Sequence, residues 1–177
     1  MTIRIALFRG LNVGKANRIA MADLKALFED LGFANVRTLL NSGNAVFDGG
    51  RESAATNAKR IAVALPERTG IVANVVVLDG KTLDAAVAGN PFAKRCDDPS
   101  RLLVGFYADA DRAPFEALKR DFPSEAFAIG AAACYLWCPD GILESRVGDA
   151  LVGAKFRDRV TTRNWATILK LRALAAT

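Results

Sequence analysis

The chain has 177 residues and a mass of 18.9 kDa, with 51% hydrophobic and 24% charged residues. This composition is typical of a globular protein and excludes a disordered chain, a disulfide miniprotein and a collagen-like fibre. The sequence contains no histidine, which excludes Ser-His-Asp and Cys-His nucleophile pairs and H-E-x-x-H metal sites. It predicts no cofactor and no metal, and it leaves open whether the protein is an enzyme.

Hydropathy and cysteine usage predict a soluble, cytoplasmic protein without a membrane partner. The uncharged stretch from Ala126 to Cys138 is shorter than the roughly 20 apolar residues of a membrane span. The N-terminus lacks the apolar region of a signal peptide. Cys96, Cys134 and Cys138 form neither an even set nor a C-x-x-C pair, which favours a reducing compartment. The spacing of the last two predicts packing on one face of a strand.

Basic residues are concentrated at the two ends of the chain, within a net charge of +5. Residues 1–22 carry four basic and no acidic side chains, whereas residues 151–177 carry six basic side chains and one acidic side chain. If the fold brings the ends together, they create a positive field that attracts anions. If it does not, they are two solvated basic faces.

Apolar periodicity and turn residues predict the order β-α-β-β-α-β for the first 80 residues. The first helix has Gly32 at its C-terminal end, and a turn over residues 41–44 joins the second and third strands. The predicted elements are a strand over Ile3–Phe8, a helix through Leu24–Leu31, strands over Val36–Leu40 and Ala45–Phe47, a helix over Arg51–Leu65 ending at Pro66, and a strand over Val72–Leu78.

A second, similar α+β half is predicted for residues 81–150, followed by a basic helical segment over residues 151–177 that packs back on the body. The two halves share element order but no residue-level repeat. The predicted elements are a helix over Leu83–Ala88, a strand over Leu102–Tyr107, a helix opened by Asp111 and Pro114, a hairpin over Glu125–Ile129 and Ala133–Trp137, a segment over Ala150–Phe156, and a last helix over Arg163–Ala175.

The first half predicts a ferredoxin-like sheet, in which strands one and two point the same way. The loop over residues 9–18 and the turn Ser42-Gly43-Asn44 therefore emerge at one end of the sheet. Arginine and main-chain N–H groups beside a glycine-rich bend can recognise phosphate or carboxylate. Alternatively, the glycines only shape turns that the polar side chains cap. The predicted ligand-binding residues here are Arg9, Gly10, Asn12, Lys15, Ser42, Gly43 and Asn44.

The glycines of the first loop do not form a known nucleotide motif. The segment Gly10–Ala16 is one residue shorter between its glycines than a P-loop, and Ala16 stands where Ser or Thr would hold magnesium. A nucleoside triphosphatase of that class is therefore not expected. No G-x-G-x-x-G sequence for a dinucleotide is present either.

Four short motifs follow one another along the chain: FRGLNVG over residues 8–14, SGN with VF over 42–47, NPF over 90–92, and TRNWAT with KL over 162–171. In this order they resemble the bacterial domain-of-unknown-function family numbered sixteen ninety-seven, over almost the whole chain. This sequence departs from the family at Leu11, where Ile is usual, and at Gly14, which joins Lys15 directly where the family has an extra Gly. The resemblance implies a small cytoplasmic α+β protein and carries no activity.

The last motif adds two residues to the predicted ligand site. In the plainer interpretation, Thr162 is the N-cap of the last helix and Trp165 anchors it in the core. In the competing one, Arg163 and Asn164 lie at a helix N-terminus, where main-chain donors favour an anion. They would then complete the site begun by Arg9.

Three functions follow as hypotheses. The first is binding of, or catalysis on, an anionic phosphate-bearing small molecule resembling a nucleotide. The second is a sequence-tolerant nucleic-acid-binding module that uses the basic ends, although residues 43–48 lack the aromatics of RNA-recognition sheets. The third is a protein-interaction module without a small ligand. The sequence does not predict the oligomeric state.

Overall fold

The computed structural model describes residues 1–13 and 17–177. It divides the chain into two compact units, one formed by Met1–Lys81 with Leu171–Thr177 and the other by Thr82–Lys170. The chain therefore returns to the first unit at its C-terminus, where the guanidinium of Arg37 donates to the hydroxyl of Thr177. The boundaries predicted near residues 80 and 150 stay a prediction.

The first unit contains an antiparallel sheet with the spatial order β2-β3-β1-β4. This is the ferredoxin-like order that the sequence predicts. Its elements are β1 (Ile3–Arg9), α1 (Met21–Asp30), β2 (Ala34–Thr38), β3 (Asn44–Asp48), α2 (Ala54–Thr69) and β4 (Asn74–Asp79).

Aromatic side chains form the core between this sheet and helices α1 and α2. Phe8 and Phe47 lie on the helix-covered face, and Phe28 of α1 packs on both rings, with its centroid 5.0 Å from that of Phe47. Such edge-to-face contacts stabilise the core beyond the burial of apolar area. This packing anchors β1 and β3, the two central strands of the sheet, against the helices.

The second unit repeats the same order, β6-β7-β5-β8, in its own antiparallel sheet. The structure thus confirms two similar α+β halves with a C-terminal helix. After α3 (Gly80–Ala88), the elements are β5 (Leu102–Tyr107), α4 (Ala113–Asp121), β6 (Ala126–Ile129), β7 (Cys134–Trp137), α5 (Arg146–Val152), β8 (Val160–Asn164) and α6 (Trp165–Ala175).

Two predicted boundaries are wrong for identifiable reasons. α2 runs past Pro66 to Thr69, because the Thr69 hydroxyl donates to the Leu65 carbonyl and the Gly70 N–H donates to the Pro66 carbonyl. The predicted helix start at Arg163 is also wrong, because residues 160–164 pair with β5 as strand β8. The β-branched residues Val160, Thr161 and Thr162 favour a strand there.

Among the described residues, no helix is both long and apolar enough to cross a lipid bilayer.

Candidate functional site

Two loops meet at the end of the first sheet where β1 and β2 finish. β1 and β2 both pair antiparallel with β3 and so point the same way. The Phe8 N–H donates to the carbonyl of Gly43, 2.9 Å away, which joins the end of β1 to the turn between β2 and β3. We call the described residues 9–13 and 39–43 the loop edge.

Asn12 fastens the two loops of the loop edge together. Its side-chain amide donates to the carbonyl of Ile19 at 3.0 Å and to that of Asn41 at 2.7 Å. Its side-chain oxygen accepts from the Ile19 N–H at 2.8 Å, and its own N–H donates to the Asn17 carbonyl at 2.9 Å. The backbone of Asn12 is left-handed, with φ 56°, which asparagine tolerates better than most residues. Its role is to fix the loop.

Asn44 holds the β2–β3 turn from inside. It is fully buried, and its amide donates to the carbonyl of Leu39 at 2.8 Å and to the hydroxyl of Ser42 at 3.1 Å. Ser42 itself is exposed. Gly43 has φ 78°, and a Cβ there would lie 3.0 Å from atoms of Phe8 and Leu11. Asn44 and Gly43 therefore set the shape of the loop edge.

Arg9 is the last residue of β1 and is half-buried. The sheet register puts it on the same face as Leu7 and Asn44, opposite the face that α1 and α2 cover. Gly10 follows with φ 87° and is exposed. Lys15, the remaining predicted residue of this group, lies outside the described residues.

The structure adds two residues to the loop edge that the sequence did not suggest. Leu40 was expected to end a strand, but β2 ends at Thr38, and Leu40 is left-handed with φ 58° and 47% exposed. Val13 is 69% exposed. The left-handed backbone of Leu40 is strained, because its side chain is bulky, and such strain is concentrated at functional sites. The turn residues at 41–44 follow Leu40 directly, and they were the signal in the sequence that β2 ends before Leu40.

The two predicted residues of the last motif lie in the second unit. Arg163 is on β8 opposite Val104, and its guanidinium donates to the Thr162 carbonyl at 2.8 Å. Burial lowers the pKa of the Arg163 side chain to about 10.

Asn164, and not Thr162 as predicted, caps α6. Its side-chain oxygen accepts from the Thr167 N–H at 2.9 Å and from the Thr167 hydroxyl at 2.7 Å. The following residue, Trp165, is the first of α6 and is buried. Asn164 thus has the side-chain bonds of an N-cap, which satisfy donors at the start of the helix.

The cysteines show no sign of an ionised thiol. Cys134 and Cys138 are buried, and burial raises the pKa of the Cys134 thiol to about 12 and that of Cys138 above its usual range. Burial also raises the pKa of Cys96, with a smaller contribution from Asp97. Across residues 1–13 and 17–177, no group of three or more Cys, Asp or Glu side chains is arranged to hold a metal ion.

Comparison with protein families gives one match. Residues 1–135 match the family described as Protein of unknown function (DUF1697). The chain belongs to this family. Three of the four motifs, including both loops of the loop edge, lie within the matched residues of this DUF1697 protein, and the motif over 162–171 lies outside them.

A solved structure supports the same fold. This DUF1697 chain is similar to the conserved bacterial protein SP0830 from Streptococcus pneumoniae, with a TM-score of 0.76 and 22% sequence identity. The similarity covers 98% of each chain. Comparison with curated proteins finds no match.

Proposed function

We propose that the loop edge binds an anionic, phosphate-bearing small ligand of the nucleotide type. The observation that carries the proposal is the bonding of Asn12, which joins two glycine-containing loops into one fixed rim beside Arg9. A rim that is ordered before binding loses little conformational entropy when the ligand arrives. Main-chain N–H groups at glycine bends can approach a phosphate without steric obstruction.

The charge of the loop edge favours an anion. Residues 1–22 and 38–47 contain no Asp or Glu, while Arg9 and the exposed Arg18 are basic. Arginine also matches the geometry of phosphate oxygens with two parallel N–H donors.

The exposed side chains of Val13 and Leu40 favour a ligand that also has an apolar part. Each lies next in sequence to one partner of the 2.7 Å bond between Asn12 and Asn41, so both belong to the same rim. Small-molecule sites combine apolar walls with a few placed polar groups. A nucleotide supplies both, since its base is flat and its phosphate is charged.

The test is a calorimetric titration with ADP and with inorganic phosphate on three proteins: wild type, Arg9→Ala and Arg51→Ala. Arg51 is exposed and follows β3 at the opposite end of the sheet, so its variant removes the same charge away from the site. We expect Arg9→Ala to weaken ADP binding about tenfold or more, and Arg51→Ala to leave it unchanged.

Thermal unfolding of each variant checks that the fold is retained. If Arg9→Ala does not fold, Arg18→Ala replaces it in the titration. Equal binding by wild type, Arg9→Ala and Arg18→Ala would contradict the proposal. Binding of single-stranded RNA alone, lost at high salt, would support the nucleic-acid hypothesis instead.

A further inference from the structure

A groove runs along the free edge of the sheet in the second unit. Strand β6 ends the order β6-β7-β5-β8. Two cavities of about 300 and 570 Å³ adjoin it and share the wall residues Arg95, Glu125 and Ala126. We call the two cavities together the β6 groove.

One part of the β6 groove is basic. Arg95, Lys119 and Arg120 line it and are exposed. Other cations of the chain, such as Arg60 and Arg68, form ion pairs, but no carboxylate of the described residues lies within ion-pair distance of these three. Their charges are available to a partner.

Glu125 offsets part of this positive charge. Its carboxylate accepts from the hydroxyl of Ser145 and from the main-chain N–H groups of Arg146 and Val147, at 3.0 and 3.3 Å. These bonds direct the carboxylate toward the start of α5, although it keeps its negative charge. With Glu116, two carboxylates therefore face three cations in the wall of the larger cavity. The smaller cavity is lined by Asp140 and Glu144 as well and is not basic.

The floor of the β6 groove offers apolar contact. Phe92 and Phe127 line the larger cavity and Trp137 lines the smaller one. Phe127 and Trp137 are more than nine-tenths buried and Phe92 is half-buried. Phe92 is the least buried of the three rings and gives an apolar side chain of a bound segment a surface to pack on.

The outer edge of β6 offers main-chain hydrogen bonds. The Gly130 N–H donates to the Ala133 carbonyl and closes the hairpin to β7. Antiparallel pairing alternates from that bond, so the main-chain groups of Phe127 and Ile129 point away from β7. The Phe127 N–H bonds to the Glu125 carbonyl. The Phe127 carbonyl and both main-chain groups of Ile129 stay available for another strand.

We propose that the larger cavity of the β6 groove, together with the outer edge of β6, binds an extended acidic segment of a partner protein, which adds a strand to β6. The carboxylates of the segment pair with Arg95, Lys119 and Arg120, and its apolar side chains pack on the aromatic floor. A free phosphate fits these observations less well, because it cannot pair with both the N–H and the carbonyl of Ile129 in the register of a strand.

The test uses a fluorescein-labelled octapeptide of alternating Glu and Val, with a Lys-Val octapeptide as its charge control. Fluorescence anisotropy measures binding to wild type, Lys119→Glu and Lys155→Glu. Lys155 is exposed and does not line the groove. We expect only the acidic peptide to bind, Lys119→Glu to weaken binding about tenfold, and Lys155→Glu to change it less than about twofold.

A third peptide separates strand addition from simple charge attraction. It has the acidic sequence with every second main-chain nitrogen methylated on the pairing edge, and we expect it to bind about tenfold more weakly. Undiminished binding of the methylated peptide, equal binding of the acidic and basic peptides, or equal effects of the two lysine substitutions would overturn the proposal. Preferential binding of a single-stranded oligonucleotide would also overturn it.

Discussion

At the scale of a single residue, Asn12 fixes how the two loops of the loop edge lie against each other. It was predicted as a ligand donor, because its loop and the β2–β3 turn were expected to emerge at the same end of the sheet. In the structure both donor hydrogens of its side chain are directed to carbonyls within the loops. The sequence shows that an asparagine stands in the loop, but the carbonyl acceptors come from Ile19 and Asn41. Only the folded chain brings the Asn41 carbonyl, from a different loop, to Asn12.

We expect Asn12→Ala to lower the free energy of unfolding by about 2 kcal/mol, since three side-chain hydrogen bonds are lost and alanine is strained at φ 56°. Asn12→Gly loses the same bonds without the strain, so it should cost less. Urea denaturation of both variants measures the difference. A cost for Asn12→Ala no larger than that of a surface substitution would show that these bonds do not hold the loop.

At the scale of elements, the sequence predicts strands well where the apolar run has clear ends. β5 has the predicted limits, Leu102–Tyr107, because arginine precedes the run and polar residues follow it. β8 was missed because Val160 is its only apolar residue, and its pairing with β5 is a long-range contact. Its β-branched residues permit a strand, and the pairing with β5 decides it.

The β2–β3 turn gives a prediction at this scale. In Gly43→Ala the new Cβ would lie 3.0 Å from Phe8 and Leu11 at φ 78°, whereas at Gly10 the φ is 87° but no atom lies within 4 Å of a Cβ. We expect Gly43→Ala to destabilise by about 2 to 4 kcal/mol and Gly10→Ala by about 1 kcal/mol. Urea unfolding compares them, and equal costs would mean that the turn is not tightly packed on β1.

At the scale of the molecule, the two units have the same strand order, but different polar groups are buried in their sheets. The first sheet buries Asn44 to hold a turn, while the second buries the aromatic ring of Tyr135, whose hydroxyl donates to the Ala86 carbonyl at 2.8 Å. The ferredoxin-like order and the convergence of two loops at the end of β1 could be predicted from element order alone. The strained Leu40 and the β6 groove could not, since both depend on packing between distant residues.

Tyr135 makes the stability of the molecule sensitive to alkali. Burial raises its pKa from 10.0 to about 12, so above pH 10 the unfolded chain releases this proton while the folded protein keeps it. Stability that is present below pH 10 is therefore lost as the pH rises toward 12. Burial of Cys134, whose pKa rises from 9.0 to about 12, acts in the same direction from pH 9.

We expect Tyr135→Phe to be about 1 to 2 kcal/mol less stable than wild type at pH 7, because the buried Ala86 carbonyl loses its donor. The gap should narrow as the pH rises above 10, since phenylalanine has no proton to release. Urea unfolding at pH 7 and near pH 11 measures both values. A stability difference that widens at alkaline pH would contradict a raised pKa of Tyr135 in the folded protein.

The most direct test of the central claim, anion binding at the loop edge, is an amide NMR titration of the isotope-labelled protein with ADP at about 150 mM salt. We expect saturable shifts at residues 9–13 and 39–43, with the same dissociation constant as calorimetry, and weaker binding by Arg9→Ala. The absence of shifts at these residues, or saturable shifts confined to the second unit, would contradict it.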